Sequence, residues 1–322
     1  MDFVPTLESL RAVGEETRLR IVALLRSSDL TVTEIVRCLD QLQPRVSRHL
    51  KILVEAGVVN VYQEGAWRFY SIAMLPDWLW AMIEELEGPE LAADREVLQE
   101  VRRERADRAT AYFAENADGW DAVRRLHVDS GEIERALLEL APPRFENFLD
   151  LGTGTGRMLT LFADRYNEGF GFDMSPEMLA VARVRLDEAG LRNVELRRRD
   201  ILKADQLAAE QADIVCLHHV LHFLGEPERA IAAGAMALRP GGSLLIADFA
   251  PHTREELREL HAHRRLGFGT DEIVKIARRF GLTLEAERAL QPDSDDGLVS
   301  KIWRLDKPMS RFEEVKEEAL HA

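Results

Sequence analysis

Cysteine is scarce. Cys38 and Cys216 are the only two thiols in 322 residues, and they lie far apart in the chain. That excludes a disulfide framework, so a cytoplasmic protein with reduced thiols is the expectation. Long apolar runs are missing too. None reaches the roughly 18–20 residues that a membrane-spanning helix needs, and no membrane partner is expected. The opening stretch, MDFVPTLESLRAVGEE, has no basic start followed by an apolar segment, so no secretory leader is expected either. Basic charge is short overall, with a formal net charge of −15, which argues against a nucleic-acid binder along its whole length. The shortage is uneven. Residues 1–75 hold nine acids and nine bases and are neutral, so the whole acidic excess sits in 76–322. Any contact with DNA is therefore expected in the N-terminal quarter. The length suits two domains.

That quarter is patterned for helices. Thr6–Val13 reads as a short amphipathic helix, Gly14 interrupts it, and Glu15–Leu25 follows with Leu19, Ile21, Val22 and Leu25 on one face. Thr31-Val32-Thr33-Glu34 has capping-box spacing and opens a third helix. Gln43-Pro44 starts a fourth, which turns Val46, Leu50, Leu53 and Val54 inward and ends at Gly57. Two short helices joined by a tight turn form a helix-turn-helix, whose second helix suits a major groove. The outward positions are Gln43, Arg45, Ser47, Arg48 and Lys51, with no acid among them. Arg and Gln can read base edges, and Lys and Ser suit phosphates. Alternating residues 58–62 and 67–72, with a turn at Gln63-Glu64-Gly65-Ala66, read as a β-hairpin that places Arg68 near the DNA backbone.

The phrases GEETRLRIVALL, LTVTEI, QPRVSRHLKILVEAGVV and EGAWRFYSI carry a resemblance to the ArsR family of winged-helix regulators over residues 5–75. The resemblance implies a homodimer on a palindromic double-stranded DNA operator. Metal-sensing members carry cysteines in the third helix. Here the only nearby thiol is Cys38, and one thiol cannot form a thiolate metal site.

Residues 76–114 read as a helical connector that can also serve dimerisation. Trp78, Leu79, Met82 and Leu86 form an apolar stripe, and Gly88-Pro89 breaks it. VLQEVRRERADRATAYF alternates acids and bases as an exposed helix with i,i+4 ion pairs does. Tyr112, Phe113 and Trp120 follow, suited to core packing or to covering a pocket.

At the centre of the chain, Leu149-Asp150-Leu151-Gly152-Thr153-Gly154-Thr155-Gly156 sets glycine at every second position after a strand-like stretch. Such a turn can bring backbone N–H groups close to a nucleoside-bearing ligand. The spacing is G-x-G-x-G. Arg157 stands where part of a G-x-G-x-x-G dinucleotide fingerprint would continue, which points away from NAD and toward S-adenosylmethionine (SAM). Strands then alternate with helices, implying an α/β domain with a parallel, doubly wound sheet. Ligands bind such sheets at the carboxyl ends of the strands. Asp173 ends the second strand, where a carboxylate accepts from ribose hydroxyls, and Met174 can lie on an adenine face. Asp200 and Ile201 follow the third strand, suited to the adenine amino group. Leu217 and His218 end the fourth, where a backbone carbonyl can take an ammonium. Asp150 can order the glycine turn. Asp213 is expected to orient a strand.

LDLGTGTG, GFDMSPEML, RRRDIL, ADIVCLHHVLHFL and LRPGGSLLIADF, in that order, resemble the class I SAM-dependent methyltransferases across residues 110–305. The resemblance implies a Rossmann-like domain over 115–308 with a seven-stranded, mostly parallel sheet, closed by antiparallel strands near 282–287 and 299–305. The segment YFAENADGWDAVR resembles the lead-in helix of such enzymes, and 309–322 reads as a tail helix. The trio His218, His219 and His222 raises a metal site, because 218 and 222 are four apart. No carboxylate shares that helical face, and the family commonly has His near 222, so no metal is expected.

The combined architecture resembles regulators of the methionine cycle that respond to S-adenosylhomocysteine (SAH), in which an ArsR-type reader is joined to a methyltransferase-like sensor. The reading that follows is a transcriptional repressor with SAH or SAM as effector, a sensor before a catalyst, with no catalytic residue assigned. Two alternatives stay open. One is an active methyltransferase on a small molecule, lidded by 252–268. The other is a partner module that keeps SAM for stability alone.

Overall fold

The computed structural model describes residues 3–64, 67–73, 75–115, 130–203, 211–260, 263–292 and 297–309. The chain forms two compact units, one built from Met1–Thr110 with Asp187–Arg192 and one from Ala111–Leu186 and Asn193–Ala322.

The first unit runs α1 (Phe3–Val13), α2 (Glu16–Leu25), β1 (Leu30–Thr31), α3 (Val32–Leu39), α4 (Gln43–Glu55), β2 (Val59–Glu64), β3 (Trp67–Ile72), α5 (Asp77–Glu84) and α6 (Pro89–Glu115). Local chemistry sets the helix starts. The Glu15 side chain accepts the Arg18 N–H at 3.0 Å and caps α2. At α3 the capping box is complete: Thr31 Oγ1 accepts the Glu34 N–H at 3.3 Å, and Glu34 Oε2 accepts the Thr31 N–H at 2.8 Å. Pro44 lies in the first turn of α4, where its missing N–H costs nothing. Gly57, at φ 67°, turns the chain out of that helix.

β2 and β3 form the expected hairpin, whose tip at 65–66 lies outside the described residues. Sequence periodicity missed β1, which is only two residues long and pairs Leu30 with Tyr70 and Thr31 with Phe69. Ile21, Leu24, Ile35, Val46, Leu50 and Leu53 are buried at the centre of the unit.

The segment expected to be an exposed connector belongs to this core. Leu79, Ile83, Leu98 and Val101 are buried in it. Asp94, itself buried, accepts two hydrogen bonds from the Arg20 guanidinium, at 2.7 and 2.8 Å. Arg105 pairs with Glu34, and Arg37 pairs with Glu100 and Glu104. These charges on α6 therefore serve α2 and α3 rather than their own i+4 neighbours.

The second unit holds α7 (Ser130–Leu140), β4 (Phe145–Leu151), α8 (Arg157–Leu161), β5 (Tyr166–Asp173), α9 (Pro176–Glu188), β6 (Val194–Arg198), β7 (Ala212–His218), α10 (Pro227–Ala237), β8 (Leu238–Phe249), α11 (Glu256–Leu260), α12 (Thr270–Arg278), β9 (Thr283–Leu290) and β10 (Ser300–Asp306). Seven strands lie in the order β6-β5-β4-β7-β8-β10-β9. β4 to β8 pair in parallel, and β10 is antiparallel to both β8 and β9. The closing pair thus contains one reversed strand, and β9 returns to the common direction.

The strand order reverses between β4 and β7, which opens a switch point at their carboxyl ends. Alternation along β4 serves two faces. Leu149 and Leu151 join Val215, Leu217, Ile231, Ile273 and Ala277 in one core. Phe148 turns to the other face, against Tyr166 at 5.6 Å and Phe162 at 5.0 Å between ring centroids. A sheet covered on both faces needs such near-continuous apolar strands. Asp213 orients a strand as expected: its Oδ2 accepts the N–H groups of Glu146 and Asn147, at 3.1 and 2.8 Å, and Arg239 pairs with its other oxygen.

Candidate functional site

The glycine run connects β4 to α8 at the switch point. Gly152, Gly154 and Gly156 adopt φ of 76°, 51° and 73°, a region that penalises every other residue type. A Cβ on Gly152 would lie 2.5 Å from Val220 Cγ2, so the loop after β7 presses directly on this turn. A Cβ on Gly154 would meet nothing closer than 4.0 Å, so open space lies above it.

The expectation that this loop offers bare N–H groups is corrected for four of them. Gly152 N and Thr153 N donate to Phe172 O, Gly156 N donates to Thr153 O, and Gly154 N donates to Asp173 Oδ2, at 2.8 to 2.9 Å. Glycine here supplies curvature and space, and these amides hold the turn together.

Two carboxylates frame the cleft. Asp150 is buried, and Thr153 Oγ1 donates to its Oδ2 at 2.7 Å. Its Oδ1 is buried without a hydrogen-bond partner. Desolvation pushes this carboxyl up to about 7. Asp173, at the end of β5, accepts Gly154 N on one oxygen and Ser175 N on the other, at 2.8 and 2.9 Å. An ionised carboxylate has about four acceptor positions, so both oxygens keep capacity for hydroxyl donors. Met174 beside it is half exposed, an uncovered apolar side chain at the strand end.

Asp200 lies two residues past β6 and accepts Leu202 N at 3.0 Å, while Ile201 is buried. Leu217 is buried and His218 ends β7. Burial drives the His218 imidazole down to about 4, so it is neutral near pH 7. Asp150, the glycines, Asp173, Asp200 and His218 therefore all follow or end adjacent parallel strands.

Residues 218 and 222 do not share a helical face as their spacing suggested. His218 ends a strand, and His222 sits in a short 3-10 turn, Leu221–Phe223. Sequence reasoning also missed Asp248, at the end of β8 and fully buried. Its signal was an acid at the end of the LLIADF strand. Arg185 was missed as well, and it donates to Thr155 Oγ1 at 2.6 Å.

In the first unit, Gln43, Arg45, Ser47, Arg48 and Lys51 are all exposed on α4, and Arg68 is exposed on β3. Val46, Leu50 and Leu53 anchor the opposite side of α4 in the core. Arg45 reaches Thr17 Oγ1 at 3.4 Å, and Lys51 lies 3.7 Å from Glu55, both weak surface contacts. Cys38 and Cys216 are free and buried. Desolvation pushes the Cys38 thiol up to about 12, which suits a core residue and not a thiolate ligand. The side chains of Tyr112 and Phe113, Trp120 and the tail at 310–322 lie outside the described residues. Among the described residues no helix is long and apolar enough to cross a membrane.

A winged helix-turn-helix with exposed polar side chains on α4, and a mostly parallel sheet with a glycine turn at its switch point, have the architecture of a DNA-binding regulator joined to a methyltransferase-type domain. Comparison with known proteins agrees. Residues 15–61 match the family described as bacterial regulatory protein, arsR family, and residues 145–289 match a methyltransferase domain. The arsenical resistance operon repressor of Escherichia coli is 36% identical over 87 residues, covering 26% of this chain and 74% of the repressor. The chain belongs to the ArsR family of bacterial regulatory proteins, with a methyltransferase domain in the same polypeptide.

Phosphatidylethanolamine N-methyltransferase of Cereibacter sphaeroides is 38% identical over 101 residues, 31% of this chain and about half (49%) of that enzyme. Among solved structures, the complex of the Haloferax volcanii Trm112 methyltransferase activator with a methyltransferase aligns at TM-score 0.50 and 18% identity. That alignment covers 62% of this chain and 97% of the other, a likeness of fold. The methyltransferase-domain match supports SAM or its product SAH as the ligand. The site's chemistry fits that pair: a buried acceptor on Asp150, an open glycine turn, a carboxylate at Asp173 and the uncovered Met174.

Proposed function

We propose that this protein is a DNA-binding transcriptional repressor whose methyltransferase-like domain holds SAH or SAM as effector and adjusts genes of the methionine and SAM cycle. One observation carries the reading. Exposed polar side chains on α4 with no acid among them, Gln43, Arg45, Ser47, Arg48 and Lys51, occur in one chain with a methyltransferase domain whose glycine turn lies at the strand ends. Asp173 receives the ribose hydroxyls, Met174 and Ile201 flank the adenine, and Asp200 accepts from its amino group. Carbonyls at Leu217 and His218 take the ammonium, and Asp150 holds the glycine turn. Arg45 and Arg48 read base edges, while Lys51, Ser47 and Arg68 contact phosphates. The protein works in the cytoplasm as a homodimer on a palindromic operator. SAH binds the DNA-incompetent state more tightly and so relieves repression, because an effector shifts an equilibrium only through differential affinity.

Calorimetry with SAH and SAM, followed by operator binding with each ligand present, tests this reading. At least one ligand lowers operator affinity about fivefold or more, the lower end of ordinary allosteric coupling. Operator affinity indifferent to both ligands refutes it. The likeness to phosphatidylethanolamine N-methyltransferase favours a second reading, methyl transfer to a small acceptor. Such displacement needs mainly alignment, so the missing catalytic base is no obstacle. Turnover of SAM to SAH with a defined acceptor establishes it.

A further inference from the structure

Beyond the adenosyl cleft, the carboxyl ends of β7 and β8 gather an unusual share of the chain's imidazoles. Of nine histidines, five (His218, His219, His222, His252 and His263) lie around Phe249 and Asp248. Asp248 is fully buried, and its Oδ1 lies 2.8 Å from His222 Nδ1. Backbone N–H groups of His222 and Phe249 donate to the same carboxylate, at 3.3 and 2.8 Å, which fixes its orientation. One ligand atom each from His219, His222 and Asp248 lies within 4.8 Å of the others. The His263 ring sits 4.3 Å from that of His222.

A hydrogen-bonded His–Asp pair explains two of these residues. It does not explain why His219 stands beside them at φ 50°, a left-handed conformation that a non-glycine residue rarely adopts and that marks functional loops.

We propose that His219, His222 and Asp248 bind one divalent transition-metal ion, with the His263 ring packed beside His222. Two imidazoles and one carboxylate suit Zn²⁺, Fe²⁺, Co²⁺ or Ni²⁺ rather than Ca²⁺ or Mg²⁺, which prefer all-oxygen shells. Three protein ligands leave coordination positions open. The backbone bonds to Asp248 act as the outer shell that orients a ligating carboxylate. The site is independent of the thiol sensing that the lone Cys38 argues against, and independent of the effector proposal.

The test uses the full chain stripped with chelator, with Co²⁺ as a visible probe and Zn²⁺ in calorimetry. The parent protein takes up one ion per chain, with d–d bands that Zn²⁺ abolishes. His219→Gly removes one donor while relaxing the left-handed backbone, so it folds at least as well as the parent. It binds Co²⁺ at least about tenfold more weakly, the lower bound seen even for outer-shell losses. Asp248→Asn weakens binding in the same direction. A parent that takes up no stoichiometric ion, or a His219→Gly protein that binds as tightly as the parent, overturns the proposal.

Discussion

Replacing Asp150 by asparagine tests the central electrostatic feature of the cleft. The side chain is 1% exposed, and one oxygen accepts from Thr153 while the other has no partner. Its carboxyl rises from an ordinary 3.8 to about 7, chiefly through desolvation, with neighbouring Asp173 adding to the rise. At about 1.4 kcal/mol per pH unit, ionising it inside the fold costs roughly 4 kcal/mol. The sign follows from the raised value. Below about pH 4 the group is neutral in both folded and unfolded chains, and the contribution to stability is fully present. As pH climbs to 7 the unfolded chain ionises first, and stability drains away. Above 7 both states are ionised and nothing further is lost. An asparagine side chain keeps the shape and the acceptor for Thr153 but carries no titrating proton. Asp150→Asn therefore gains on the parent by about 4 kcal/mol between pH 4 and pH 8. Calorimetric melts of both ligand-free proteins across that range measure the difference. Parallel stability curves refute the reasoning.

Arg45→Ala and Arg48→Ala each weaken operator binding about tenfold or more while leaving the melting temperature unchanged, because both side chains are exposed. Lys51→Ala lowers affinity for all sequences alike and shallows the salt dependence by about one unit, read by anisotropy at several salt concentrations. Gly154→Ala folds with a backbone penalty of about 1–2 kcal/mol, since open space surrounds its Cβ. Gly152→Ala adds a clash with Val220 and lowers the melting temperature further, and calorimetry orders the two. Asp94→Ala leaves the Arg20 guanidinium without its buried partner and destabilises the first unit by about 3–5 kcal/mol, seen in urea unfolding.

Legibility from sequence followed the range of the forces involved. The capping box at Thr31 and Glu34 and the proline start of α4 depend on neighbours within one turn, and both were readable. The exposed side of α4 was readable too, since 3.6-residue periodicity separates Arg45 and Arg48 from Val46 and Leu50. The allegiance of α6 was not. Its charges looked self-sufficient, yet Asp94 and Arg105 are buried against partners on α2 and α3. Asp248 stayed hidden because its partner His222 is 26 residues away.

By itself the sequence determined the local conformations around the cleft. Glycines at every second position after a strand-like stretch, 152 to 156, marked a tight turn with room for close approach, and all three adopt positive φ there. Their amides were a different matter. Whether those N–H groups face a ligand or close the turn depends on Phe172 and Asp173, brought alongside by the pairing of β5 with β4. Tertiary structure also decided the burial that lifts Asp150, the reversal of β10 and the meeting of His219, His222 and Asp248. Desolvation and strand pairing act between residues that are distant along the chain, and local patterns carry no record of them.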